Sequence, residues 1–283
     1  MKQATYTLEL LTPCFCAGAD QSHAEIRAPA IRGQLRWWFR TLGGTSADER
    51  TVFGGVAGTA SASALTIRIQ DVVAGPAWNP PPVDPNSADS YVWYYASASA
   101  NGSRWTQQAA TSPRTTFKLQ LLQKHSLPLN LQSQLDLALR CFLQLGAIGL
   151  RATRGLGAFT CLEIPFQPAT LETLKSKGFF CEQRAVSLAD TASIAREIGG
   201  LVKGTRKATG MSAKQSSPFG SSNPRQTSAI YFRPVRIPPT ASDCALIVFE
   251  APHARVLDRR SDRPRVIGHA PSRLSKPSFA PRR

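Results

Sequence analysis

Arg32, Arg36 and Arg40 recur every fourth residue in and just past the stretch IRAPAIRGQLRWWF, from Ile26 to Phe39. At about 100° per residue this spacing lines three guanidinium groups along one side of a helix. A guanidinium is planar, permanently charged and forked, a geometry suited to phosphate oxygens. Gly33 stands beside the stripe, where a missing side chain lets another backbone come close. The free amides and dipole of the helix N-terminus add attraction for an anion. The chemistry on offer is phosphate binding; the plainer alternative is a surface helix whose arginines are solvated. Arg27, just ahead of the stripe, joins the candidate set.

A second candidate is GAIGLRATRGLGAF, Gly146 to Phe159, which holds Gly146, Gly149, Gly155 and Gly157 with Arg151 and Arg154 between them. No GK[ST] follows the glycines, so it is not a P-loop. It follows a helix and enters a strand, the reverse of the dinucleotide fingerprint. Such a loop can still cradle phosphate with backbone amides, in which case Arg151, Arg154, Gly155 and Gly157 do the binding. The alternative is a helix C-cap and tight turn, for which one glycine suffices.

Charge supports a polyanionic partner. The 283 residues carry 34 Lys plus Arg against 18 Asp plus Glu, a formal net charge of +16. That excess points to nucleic acid first and an anionic membrane second. Part of it lies in the segment from His253 to Arg283, where Pro264, Pro271, Pro277 and Pro281 interrupt a basic run; this reads as a flexible tail. Six cysteines form no CxxC pair, and Cys14 and Cys16 have no histidine at metal-site spacing, so reduced thiols are expected, with no metal and no cofactor. No run approaches the roughly 18 apolar residues of a membrane span. The N-terminus opens on strand-like alternation without a signal peptide, so a cytoplasmic protein is expected.

The elements that must position these residues follow from periodicity. Thr5 to Phe15 alternates as a strand. Ile31, Leu35, Trp38 and Leu42, spaced four, three and four, give the helix that carries the arginine stripe its buried face. A Gly/Ser/Ala-rich link precedes a strand at Leu65 to Val73, and Phe117, Leu119 and Leu121 mark another. Leu131 to Leu145 is helical, and Leu156 to Pro165 is a fourth strand. Residues 74–113, rich in proline, aromatics and small polar residues, read as an inserted hairpin or loop. The order βαββαβ is the split βαβ, ferredoxin-like pattern, shared by RRM modules. This chain lacks the RRM aromatic signature, so base stacking on the sheet is not assumed. Beyond Pro165, helices at Leu171 to Lys177 and Leu188 to Val202, a basic loop at Lys203 to Arg225, and strands at Ser228 to Val235 and Cys244 to Glu250 suggest a smaller, degenerate copy. The fold class is α/β (α+β). The expected domains are 1–165 with an insertion at 74–113, a second portion at 166–252, and a basic tail at 253–283.

Together LTPCFCAGAD, EIRAPAIRGQLRWWFR, VFGG at Val52 to Gly55, and GAIGLRATRGLGAF resemble the RAMP superfamily of CRISPR effector proteins. Within it they are most similar to the group that supplies the first subunit of the type III-B, or Cmr, complex. The similarity covers roughly residues 5 to 55 and 140 to 165, with a weaker match around Arg225 to Pro234, where Arg225 lies in a basic loop before a strand. The resemblance implies tandem ferredoxin-like domains and a subunit that binds RNA without cutting it. It also implies partners: a guide CRISPR RNA near its 3′ end, the target RNA, and neighbouring RAMP subunits of the Cmr complex.

Related backbone subunits cut target RNA with an aspartate in the loop after the first strand, so the resemblance also raises an alternative. Asp20 occupies that loop, with His23 and Glu25 close by, and such groups could activate a 2′-hydroxyl as general acid and base. Glu25, however, matches the acidic residue of the subunit's own motif. The alternative is therefore a RAMP endoribonuclease using Asp20 or His23.

Overall fold

The computed structural model describes residues 2–20, 22–56, 60–81, 84, 86–93, 109–209, 218–222 and 225–256. The chain opens with β1 (Lys2–Leu10), α1 (Ala28–Thr41), α2 (Ser46–Phe53), β2 (Leu65–Val73) and the four-residue α3 (Ser90–Trp93). It continues with β3 (Thr116–Gln123), α4 (Leu129–Leu145), β4 (Phe159–Cys161) and α5 (Ala169–Ser176). Then come β5 (Phe180–Leu188), α6 (Thr191–Thr209), the two-residue β6 (Ser221–Ser222) and β7 (Arg225–Gln226), β8 (Ile230–Arg236), β9 (Cys244–Glu250) and α7 (His253–Val256). Two compact units emerge. The first is Met1–Trp78, Ala109–Leu150 and Leu156–Gln167; the second is Asn79–Gln108, Arg151–Gly155 and Pro168–Arg283. The inserted residues from Asn79, and the middle of the glycine loop, thus count with the second unit.

The first unit is built on a four-stranded sheet of order β2-β3-β1-β4, and every pairing is antiparallel. On central β1, Leu8 faces Phe117 of β3 on one side and Cys161 of β4 on the other. Helices α1 and α4 pack together. Proline in the first turn of α1 has no amide to leave unpaired there, and Ile31, Leu35, Trp38 and Leu42 are all buried, as their spacing predicts. Helix α4 buries Leu131, Leu135, Ala138, Phe142 and Leu145 by the same periodicity. At about 25 cal/mol per Å² of apolar surface, these two stripes are the main stabilising contribution of the unit's helices.

β1 ends at Leu10, five residues short of the expected end. Proline at position 13 offers no amide to a ladder. Residues 11–16 instead run beside the glycine loop: the Leu11 amide bonds the Ala158 carbonyl at 2.8 Å, and the Gly157 amide bonds the Pro13 carbonyl at 2.9 Å. β4 is correspondingly short. Helix α2 lies where only a small-residue link is expected. A reciprocal cap starts it: the Asp48 amide donates to Thr45 Oγ1 and the Thr45 amide to the Asp48 carboxylate, both at 3.1 Å.

The second unit has a three-stranded antiparallel sheet of order β5-β9-β8, with α6 in the connection between β5 and β8. That arrangement of strand, helix, strand, strand repeats the first unit's β1, α1, β2 and β3, whose order is β1-β3-β2. β8 and β9 are buried almost throughout, and they coincide closely with the expected strands. β5 is absent from the sequence expectation. Of the expected basic tail, only α7 falls within the described residues; 257–283 lie outside them.

Candidate nucleic-acid interface

The arginine stripe on α1 is tied to α2. Arg32 Nη2 donates to the Phe53 carbonyl at the end of α2. Arg36 Nε and Arg40 Nη1 both donate to the same carboxylate oxygen of Glu49, at 2.6 and 2.8 Å. The Glu49 side chain is only 8% exposed, whereas that of Arg36 is 38% exposed. One buried carboxylate thus holds two guanidiniums, and each uses only one of its five donors among the described residues. Burial first, and then the neighbouring Arg36 charge, depresses the Arg32 pKa. Glu49 offsets one of the two charges it holds, and Arg32, bonded to a neutral carbonyl, adds a third, which leaves a local excess that a second anion would relieve. Glu49 is the residue that reading the sequence missed: a long-range ion pair leaves no periodic signal.

Gly33 is exposed in the body of α1, and a Cβ placed on it would meet nothing within 4 Å. Glycine inside a helix costs about 0.5–1 kcal/mol relative to alanine, and no packing among the described residues requires it. No side chain caps the N-terminus of α1, and its first turn holds no acidic residue. Arg27, at the N-cap, pairs with Glu25 at 2.9 Å and donates to the Ala17 carbonyl at 3.2 Å.

The glycine loop reads differently once its contacts are known. Gly149, Gly155 and Gly157 have φ of +86°, +79° and +64°, in the left-handed region. A Cβ on Gly149 would overlap the Phe15 carbonyl, on Gly155 the Ile198 side chain, on Gly157 the Ile148 carbonyl and on Gly146 the Phe142 carbonyl. The fold itself requires all four, so their number no longer argues for a phosphate cradle.

Arg154 needs the same correction. It is 3% exposed, and its guanidinium donates to Tyr91 Oη at 3.1 and 3.2 Å, Ser228 Oγ at 3.1 Å and the Phe219 and Ile230 carbonyls at 2.6 and 3.2 Å. A side chain so engaged and so buried fixes the loop within its unit and does not face solvent. The guanidiniums of Arg151 and Arg206 also lie over the Tyr91 ring, at 5.5 and 5.1 Å. Burial pushes the Tyr91 hydroxyl up, yet the charges of Arg154 and Arg206 outweigh it and the net shift is downward. Arg151 is half-buried, with φ of +58°. Arg225 begins β7; its side chain lies outside the described residues.

In the loop after β1, Asp20 Oδ2 lies 2.6 Å from His23 Nδ1, and Ser22 Oγ donates to Asp20 Oδ1 at 2.5 Å. The hydrogen bonds from Ser22, and then that to His23, hold the Asp20 carboxyl at about 2. The side chains of His23 and Asp20 are 83% and 64% exposed, so nothing walls this trio off from water. Among the described residues no group of three or more His, Cys, Asp or Glu could hold a metal ion, and no helix is long and apolar enough to cross a membrane.

A family model described as the RAMP superfamily matches residues 7–160. The chain is 24% identical over 213 residues to the CRISPR system Cmr subunit Cmr1-1 of Pyrococcus furiosus, covering 72% of this chain and 56% of that protein. It is 43% identical over 44 residues to Cmr1-2 of the same organism, covering 16% of this chain and 24% of that one. The chain therefore spans about half the length of the first of these relatives and about a quarter of the second. Among solved structures, the apo crystal structure of Cmr1 from Pyrococcus furiosus superposes with a TM-score of 0.55 at 17% identity, over 89% of this chain and 88% of that one. At that identity the likeness is one of fold.

Proposed function

We propose, from the premise that the chain belongs to the RAMP superfamily, that it is a non-catalytic RNA-binding subunit of a type III-B CRISPR effector complex. In this reading it holds the guide RNA near its 3′ end, contacts the guide–target duplex, and docks against neighbouring RAMP subunits. The observation that carries the proposal is α1: an arginine stripe pinned by Glu49 and the Phe53 carbonyl, beside a helical glycine that nothing among the described residues needs. Pinned guanidiniums lose less side-chain entropy when a phosphate arrives than free ones would. The proposed contacts are Arg27, Arg32, Gly33, Arg36, Arg40, Arg151 and Arg225. Arg154, Gly155 and Gly157 shape the loop that presents Arg151. The strand orders β2-β3-β1-β4 and β5-β9-β8 support a tandem ferredoxin-like architecture whose second copy is degenerate.

The hydrogen-bonded Asp20–His23 pair supports a second reading, an endoribonuclease. Its exposure argues against it, because acid–base chemistry on a phosphodiester gains from a water-excluded site. Purification of the tagged chain from its host, with sequencing of bound RNA and identification of bound proteins, tests the first reading. Guide RNA and other RAMP subunits are the expected yield; their absence would contradict it. Incubation with labelled RNA separates the two: cleavage abolished in Asp20→Ala would establish the enzyme.

A further inference from the structure

Helix α6 carries a second strongly basic face. Arg196, Lys203 and Lys207 are exposed, and with half-buried Ser193 and Gly200 and exposed Gly204 they fall within about 100° of the helix circumference. The opposite side buries Ile194, Ile198, Val202 and Thr205, so the basic arc is the side turned away from the core. No acidic residue lies in the arc. Glu197, the only acid of the helix, projects to its flank and pairs with Arg184 at 3.4 Å. Asp190, just before the helix, is held by Ser193 through two reciprocal amide bonds of 2.7 and 3.1 Å. Its field reaches Arg196. Lys203 is partly occupied, bonding the Ser87 carbonyl and Ser90 Oγ. Arg196 and Lys207 are therefore the cations best placed to meet a ligand.

The glycines sharpen the case. Three of them weaken this helix, at Gly199, Gly200 and Gly204. Gly199 has a reason inside the chain, because a Cβ there would overlap the Ala88 carbonyl. Gly200 and Gly204 have none among the described residues: a Cβ on either meets nothing there within 4 Å. A related combination, half-buried arginines beside an exposed glycine with open space around it, marks α1. α6 also stands in its unit where α1 stands in the first, between the first two strands of a sheet of matching order.

We infer that this face of α6 is a second surface for RNA phosphates, so that the internal repeat duplicates the binding face along with the fold. The inference rests on the RNA-binding reading above, and the occupant follows from charge. A helix-packing partner would also accept Gly200 and Gly204, but its own apolar stripe would have to cover Arg196 and Lys207, whereas a phosphate strand pairs with both.

The test uses the full chain and a fluorescein-labelled single-stranded RNA, with affinity read by anisotropy at several salt concentrations. Arg196→Glu/Lys207→Glu should weaken binding about tenfold and reduce the magnitude of the log–log salt slope by about 1–2. Lys207→Arg should bind as the unaltered protein does. Both positions are exposed, so melting temperature should hold; Gly204→Ala, which strengthens the helix, should raise it and still weaken binding. Arg36→Ala on α1 serves as the reference. If it loses affinity while the α6 variants keep both affinity and slope, this inference is overturned and the proposed function stands. The same holds if the α6 variants lose only co-purifying protein. If the unaltered chain binds no RNA, the proposed function falls, and this inference with it.

Discussion

Gly33→Ala separates a binding glycine from a structural one, because its two effects have opposite signs. Gly33 lies more than a turn from either end of α1 (Ala28–Thr41), so the full interior propensity difference of about 0.8–1.0 kcal/mol applies. No atom of the described residues lies within 4 Å of the new Cβ, so no clash among them offsets that gain. Alanine should therefore stabilise the protein by about 1 kcal/mol, a rise of roughly 2–4 °C in melting temperature for a chain of this size. If an RNA backbone approaches the helix here, the methyl group pushes it away from Arg32 and Arg36. Losing one charge-assisted hydrogen bond costs about 1.5–3 kcal/mol, on the order of 10- to 100-fold in affinity. The assay is thermal melting beside anisotropy titration, with Gly33→Leu as a bulkier second step. A stabilised protein whose affinity is unchanged in both variants would refute the close approach. A destabilised Gly33→Ala would refute the open surroundings described for α1.

Three further predictions concern the anchoring of this helix and the buried thiols. Arg36→Ala should cost little stability because Arg40 still pairs with Glu49, whereas Arg36→Ala/Arg40→Ala should lose about 3–5 kcal/mol by stranding a buried carboxylate, read by urea denaturation. Trp38→Ala should cost about 3–5 kcal/mol through the cavity it leaves, its side chain being 1% exposed; Trp37→Ala, on a half-buried position, should spare the fold and weaken co-purification with neighbouring subunits. Burial lifts the Cys161 thiol to about 11 and the Cys181 thiol to about 12, from an ordinary 9.0. A thiol raised in the folded state contributes stability that is present below pH 9.0 and lost as pH climbs toward those values. Melting temperature should therefore fall more steeply above pH 9 in the unaltered protein than in Cys161→Ala/Cys181→Ala, and native-state alkylation at pH 8 should be slow.

What the sequence made legible was periodicity. Ile31, Leu35, Trp38 and Leu42 announce the buried face of α1 because a helix repeats every 3.6 residues, and all four are buried. β9 shows its alternative signature, an unbroken apolar run at its core. β5 was illegible because Arg184 sits at a buried position, 7% exposed and paired with Glu182 and Glu197, where alternation would call for an apolar residue. Helix α2 hid among small residues although Thr45 and Asp48 stand at capping-box spacing. At the candidate site the weights were reversed. Four glycines in one loop suggested a ligand, but glycine count cannot distinguish a positive φ or a tight contact from an approaching phosphate. The single glycine of α1 lacks a reason among the described residues, and only the space around its Cβ shows that. Arg154 is likewise a phosphate-binding candidate by its place in that loop, whereas its burial and hydrogen bonds tie it to its own unit.

The measurement that bears most directly on the central claim is the affinity of the purified chain for single-stranded RNA across a salt series. Phosphate contacts release counterions, and each contributes about −0.7 to the log–log slope for a single strand. Contacts from Arg27, Arg32, Arg36, Arg40 and Arg151 predict a slope of about −3 or steeper, with the RNA recovered intact. An affinity that does not change with salt, or RNA that is cut unless Asp20 is replaced, would contradict the account.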